Sequence, residues 1–156
     1  MRWGDFWQSW FKWLAYSPEE MLYHAPKITL IGGGSGLARL LQGLKQYTYN
    51  LSAIVTVFDS GGHTGKLRKD LKVPAVGDLR NCLVALSEEE DLMREFFDFR
   101  FQRGRYLNGY SFGNLFLAML LEMARDLDQA TQIASALLKV KGKVIPSSLG
   151  NAHLWA

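Results

Sequence analysis

Three rhythms of apolar residues run along the chain. In the first sixteen residues, Trp3, Phe6, Trp7, Trp10, Phe11, Trp13 and Leu14 fall within an arc of about 160° when wound at helical pitch, with Asp5, Gln8, Ser9 and Lys12 opposite. This predicts one amphipathic helix. Ser17 ahead of Pro18, Glu19 and Glu20 has the form of an N-cap and acidic first turn, so a short second helix follows, and Pro26 closes the linker. Residues 1–26 therefore read as a helical extension, with a core domain over 27–156.

The second rhythm starts that core. Ile28 to Ile31 is a short β-rich run, Gly32 to Gly36 is a glycine cluster, and Leu37, Leu40, Leu41 and Leu44 recur at helical spacing. Leu51 to Val57 is a second run rich in β-branched residues, bounded by Asn50 and Asp59, after a crossover long enough for a parallel pair. These segments predict a βαβ unit. The third rhythm follows a glycine-rich, basic loop from Ser60 to Val76: helices near 78–86, 91–101, 112–123 and 129–139, then an extended Lys143–Ile145. Asn151 to Ala156 reads as the opening of a further strand. The fold class is α/β, a doubly wound Rossmann-like parallel sheet. It is incomplete in this chain, because so few strands cannot absorb so much helix.

Composition narrows the setting. With 48% hydrophobic and 21% charged residues, the chain is an ordinary globular domain. Its 18 Lys+Arg against 15 Asp+Glu are interspersed, so the net charge of +3 suits an anionic ligand without pointing to nucleic acid. The single cysteine, Cys82, lies in an apolar run and reads as a buried helix residue; an intramolecular disulfide and a cysteine metal site are excluded, and a reducing cytoplasm fits. The chain has neither an eighteen-residue apolar stretch nor a secretory signal pattern. The Trp3, Trp7, Trp10 and Trp13 face suits either a membrane interface or a protein surface, and Arg2 and Lys12 give only a thin basic face for anionic lipid.

The candidate chemistry gathers at glycine-rich turns. Gly33, Gly34, Ser35 and Gly36 sit between a strand and a helix, where unpaired N–H groups and the positive helix end suit a phosphate or other anion, and Ser35 can add a hydroxyl or cap the helix. The full dinucleotide fingerprint is absent, since Leu37 stands three residues after Gly34. Asp59, twenty-five residues after Gly34, is placed either to hold ribose hydroxyls or simply to close a turn. The following Ser60-Gly61-Gly62-His63-Thr64-Gly65-Lys66-Leu67-Arg68 is not a Walker loop, because Ser60 and Leu67 occupy positions that need glycine and Ser or Thr. It leaves Lys66 and Arg68 as cations able to close over phosphates. His63 lacks a metal-chelating partner. Two further helix starts carry short polar side chains: Asp78, Arg80 and Asn81 after Gly77, and Ser111 and Asn114 around Gly113. No catalytic or metal-binding residue is assigned.

In order, GGGSGL, TVFDSGGHTGKLR, GDLRNCLVAL, GYSFGNLFLAML and KGKVIPSS resemble the successive motifs of the gluconeogenesis factor family, relatives of the 2-phospho-L-lactate transferases, over residues 27–148. The resemblance implies that the core is the N-terminal part of a longer nucleotide-binding domain, cytoplasmic, which regulates cell shape during gluconeogenic growth and binds a nucleotide sugar such as UDP-N-acetylglucosamine. It also implies a ligand cleft lined by Gly33 to Gly36 and Asp59 to Gly62 and ringed by Asp78, Arg80, Asn81, Ser111 and Asn114, with Lys66 and Arg68 on phosphates. The transferase branch joins a phospholactyl group to the deazaflavin precursor of coenzyme F420. That Mg²⁺-dependent chemistry is the alternative reading, weakened because the family's paired aspartates are here Asp59-Ser60. A nicotinamide-dependent oxidoreductase and a membrane or partner adaptor acting through the tryptophan helix are the remaining readings. A homo-oligomer is compatible with any of them.

Overall fold

Short β-branched runs pair when each can lay its backbone beside another, and three do so here. In a computed structural model that describes residues 16–58, 68 and 73–150, β1 (Ile28–Gly32), β2 (Leu51–Val55) and β3 (Lys143–Pro146) form one parallel sheet in the order β1-β2-β3. Ile28 lies opposite Leu51, and Ser52 opposite Lys143. Among the described residues six helices accompany the strands: α1 (Pro18–His24), α2 (Gly34–Leu44), α3 (Gly77–Leu86), α4 (Glu90–Asp98), α5 (Phe112–Met123) and α6 (Leu127–Leu137). The fold is α/β, a Rossmann-like parallel sheet with three strands among the described residues. The tryptophan face of the first expected helix, the loop bearing Asp59, Gly61, Gly62 and Lys66, and the strand opening expected from Asn151 lie outside the described residues.

The core forms where strand alternation meets an apolar helix. Leu51, Ala53 and Val55 of β2 are buried, whereas Ser52 and Ile54 between them are only half-buried. Helix α3 is apolar all round in its second half: Leu79, Cys82, Leu83, Val84, Ala85 and Leu86 are buried, and the helix touches α2, α4, α5, α6, β2 and β3. It is the central rod of the packed layer. Each buried leucine contributes roughly 1.5–3 kcal/mol relative to exposure. At α1, Ser17 and Glu20 form a reciprocal capping box, which holds the Glu20 carboxyl below its usual range. Asn50 Nδ2 then donates to the carbonyls of Tyr23 at 2.6 Å and Ala25 at 2.8 Å, fastening α1 to the start of β2.

Three departures of element limits from the sequence expectation have a visible cause. β2 stops at Val55, not Val57, because β1 ends at Gly32 and β3 at Pro146, leaving no strand beyond to pair. α6 begins two residues earlier than Gln129 because the Asp126 carboxylate caps it, accepting from Gln129 N at 2.8 Å. α4 ends at Asp98, not Phe101: Phe112 N donates to Phe99 O, and Gly109 N and Phe101 N pair with Phe101 O and Tyr110 O. These bonds turn residues 99–111 into a hairpin-like arm.

Candidate ligand cleft at the strand ends

The C-terminal ends of parallel strands point one way, and the glycine turn after β1 opens there. Gly33 is the N-cap of α2 and offers no side chain to the helix start, so the first-turn N–H groups remain open to a ligand. Its backbone is extended, and its requirement for glycine is one of space: a Cβ would lie 2.0 Å from Thr56 Oγ1 and 2.7 Å from Asp78 Oδ2. Gly34 has φ +69°, the left-handed region that favours glycine. Ser35 does not cap, contrary to one expectation from the sequence; the cap position belongs to Gly33, and Ser35 is exposed on the first turn beside Gly36. Backbone bonds extend the platform sideways, with Thr56 N donating to Gly32 O and Ser147 N to Val55 O, both at 2.8 Å.

Asp78 is on the first turn of α3, where a carboxylate is favoured by the helix dipole, yet Val76 holds the cap position. The Asp78 carboxylate leans over Gly33 instead of capping. A carboxylate there accepts hydroxyl or amide donors and repels phosphate.

Arg80, on the same turn, joins the two helix starts. Its Nη2 donates to Asn81 Oδ1 at 2.8 Å, its Nη1 donates to Ser111 Oγ at 2.9 Å, and Nη2 stands 3.2 Å from Asp98 Oδ1. Ser111 Oγ in turn accepts from Asn114 N at 3.3 Å, capping α5 as the sequence suggested. Burial lowers the Arg80 pKa, with neighbouring Asp98 opposing that shift and Arg100 adding to it. Asn114 is buried, and among the described residues its Oδ1 accepts no hydrogen bond, which costs about 1–3 kcal/mol unless a donor reaches it.

The structure thus brings Gly33 against Asp78 and links Arg80, Asn81, Ser111 and Asn114 through one guanidinium. Arg68 is buried, and its Nη1 donates to Phe58 O at 3.3 Å, three residues past the end of β2. Asp59, Gly61, Gly62 and Lys66 lie outside the described residues. Cys82 is buried, and its thiol is pushed up to about 12 by burial, with Asp78 adding to the shift, which removes it as a nucleophile. Sequence reasoning did not single out Thr56 and Ser147, which follow directly from β2 and β3 and sit inside the quoted TVFDS and KVIPSS motifs. Their position one residue past a strand end was the available signal.

Comparison with known proteins agrees with this architecture. The sequence model described as 2-phospho-L-lactate transferase CofD matches residues 28–156. A putative gluconeogenesis factor from Nostoc sp. is 50% identical over 86% of this chain and 30% of its own length. The gluconeogenesis factor of Bacillus subtilis is 46% identical over 84% of this chain and 41% of its own. A crystal structure of a UPF0052 family member from Bacillus halodurans superposes with a TM-score of 0.73 at 45% identity, covering 80% of this chain and 40% of that one. The chain spans between 30% and 41% of the length of these relatives. On a match through 28–156 and near 50% identity to gluconeogenesis factors, the chain belongs to the 2-phospho-L-lactate transferase CofD family.

Proposed function

We propose that the strand-end cleft binds a nucleotide-linked sugar of the UDP-N-acetylglucosamine type. On this reading the protein is a cytoplasmic regulatory binder that ties cell shape and envelope synthesis to growth on gluconeogenic carbon. The observation that carries the binding half is the convergence of a glycine turn, an Asp78 carboxylate and two helix starts joined by Arg80 at one end of a parallel sheet. Open α/β sheets bind ligands outside the carboxyl ends of their strands, and this set supplies backbone donors together with an acceptor for sugar hydroxyls. The regulatory half draws on relatives that carry the name gluconeogenesis factor.

A Mg²⁺-dependent phospholactyl transfer in coenzyme F420 formation is the second reading, favoured by the description of the family model. Ser60 following Asp59 leaves one carboxylate fewer for a metal than the family's paired aspartates. Binding through backbone amides survives that change.

Calorimetric titration with UDP-N-acetylglucosamine, GDP and NAD, repeated with Asp78→Ala, tests the choice. Saturable binding of the UDP-sugar that weakens about tenfold in the variant is expected, the loss of roughly one charge-assisted hydrogen bond. A preference for GDP, or turnover of a guanylylated donor with Mg²⁺, selects the transferase. Removing residues 1–15 is expected to leave ligand affinity intact and to change localisation if the Trp3, Trp7, Trp10 and Trp13 face docks on a membrane or partner.

A further inference from the structure

The arm between α4 and α5 carries charge that the cleft's own architecture does not use. Residues 99–109 contain Arg100, Arg103 and Arg105 and neither Asp nor Glu, and no carboxylate among the described residues lies within ion-pair distance of these three arginines. All three are exposed. Arg100 Nη1 donates to Gly109 O at 3.0 Å across the arm, and the Arg105 guanidinium lies 5.7 Å from the centre of the exposed Tyr106 ring. The root of the arm is part of the cleft: Arg100 bridges the backbone of Ser111, whose hydroxyl holds Arg80.

Arg80 itself is committed. Asn81, Ser111 and Asp98 occupy its donors, so it acts as a strut between the helix starts, and Asp98 offsets its charge. The Asp78 carboxylate over Gly33 repels phosphate from the glycine turn and favours hydroxyl groups there. A ligand carrying both hydroxyls and phosphates therefore has its anionic part drawn toward the arm.

We propose that the arm is a phosphate clamp, with Arg100, Arg103 and Arg105 taking the diphosphate of a nucleotide ligand whose hydroxyl-bearing part faces Asp78 and Gly33. Three guanidiniums within six residues match a compact, multiply charged group, and the planar fork of arginine binds phosphate oxygens in pairs. The proposal rests on the nucleotide reading of the cleft and adds the element that holds the phosphates.

The test is titration of the purified chain with inorganic pyrophosphate, UDP and uridine in low and moderate salt, for the native sequence, R100Q and R103Q/R105Q. The double variant alters only exposed positions of the arm and leaves the Arg80 strut intact, so an unchanged thermal midpoint certifies its fold. Expected are binding of pyrophosphate and UDP that weakens with salt, a far weaker response to uridine, and about a tenfold loss of UDP affinity in each variant. UDP binding that is equal in native and variant chains overturns the clamp while leaving the nucleotide reading standing. A native chain that binds neither pyrophosphate nor UDP overturns both. Arginine variants that lose binding to anionic vesicles or a single-stranded oligonucleotide, with pyrophosphate binding unaffected, replace the clamp with a macromolecular docking site.

Discussion

The two ends of the sheet solve opposite electrostatic problems. At the end where the strands begin, charges meet charges: Lys141 pairs with Glu19 at 3.0 Å, Lys139 with Glu88 at 3.1 Å, and Lys45 with Glu90 at 2.7 Å. Lys45 also donates to Ser87 O just beyond α3, adding positive charge where the helix dipole is negative. Clefts exist at this end too: paired side chains wall the one lined by Glu19, Lys45 and Glu88, and a second, lined by Tyr23, Asn50 and Lys143, shares the paired Lys141 with it. At the end where the strands finish, glycines expose backbone N–H groups, Asp78 leans over them, and the arginines of the arm pair with no acid among the described residues. One end holds most of its charges in pairs, whereas the other, on the function proposed above, is left for a ligand to complete.

Among the charged and cleft residues, the largest effect that would sharpen this contrast is expected from Arg80. Replacing it with Ala removes donors to Asn81, Ser111 and Asp98 together and releases the start of α5, so a loss of about 2–3 kcal/mol in urea unfolding is expected along with ligand binding. Arg80→Lys should recover the charge without the fork and little of the stability. If Arg80→Ala unfolds like the native chain, the strut is ornamental and the two helix starts are held by packing alone.

Gly33→Ala comes next. A Cβ at 2.0 Å from Thr56 Oγ1 and 2.7 Å from Asp78 Oδ2 must push the floor of the cleft apart, at an expected cost of about 1–3 kcal/mol. Gly36→Ala is the control, since a Cβ there meets nothing within 4 Å. Titration should show the first variant losing affinity and the second keeping it. Equal affinity in both would detach the glycine turn from the ligand.

At the opposite end, Lys141→Met should leave affinity untouched and cost a small amount of stability that added salt removes. The pH dependence gives its sign. A hydrogen bond from Lys139, with the charges of Lys139 and Lys141 behind it, holds the Glu88 carboxyl below its usual range, so its contribution is present above the unfolded value of 4.5 and is lost as pH falls through the lower folded value. Lys141 is shifted upward, chiefly by its hydrogen bond to Glu19, so its contribution is present below 10.5 and fades as pH rises beyond that. Thermal midpoints of native and Lys141→Met chains should therefore differ least at the two pH extremes. A gap that persists at low pH would mean packing on Tyr49, whose ring centre lies 5.2 Å from Lys141 Nζ, outweighs the ion pairs.

Much of this arrangement is legible in the sequence because period and punctuation carry it. Leu37, Leu41 and the glycines before them mark strand, turn and helix, and Ser17 and Ser111 announce their caps with short polar side chains. The role of Arg80 as a strut was not legible, since it depends on Asp98 and Ser111, which are distant in sequence and meet it only through packing. The arm was hidden for a different reason. Phe96, Phe97, Phe99 and Phe101 extend an apolar pattern that reads as helix, and only backbone pairing with Gly109, Tyr110 and Phe112 draws the chain out of it. Local pattern predicts elements well where no competing partner exists, and the arm is where one does.

The smallest expected effect concerns the two faces of the sheet. Ile31, Ile54 and Ile145 stand in one register row across the strands, opposite the buried face, and Ile31 is 75% exposed. Little native packing is removed by Ile31→Ser, so its stability cost should stay within about 0.5 kcal/mol. Leu41→Ala, on the packed side with a fully buried side chain, should cost about 2–5 kcal/mol. Denaturant unfolding of the two variants measures the contrast directly. Should Ile31→Ser prove as costly as Leu41→Ala, the isoleucine row is covered in the folded protein, and the sheet has two packed faces where the described residues supply one.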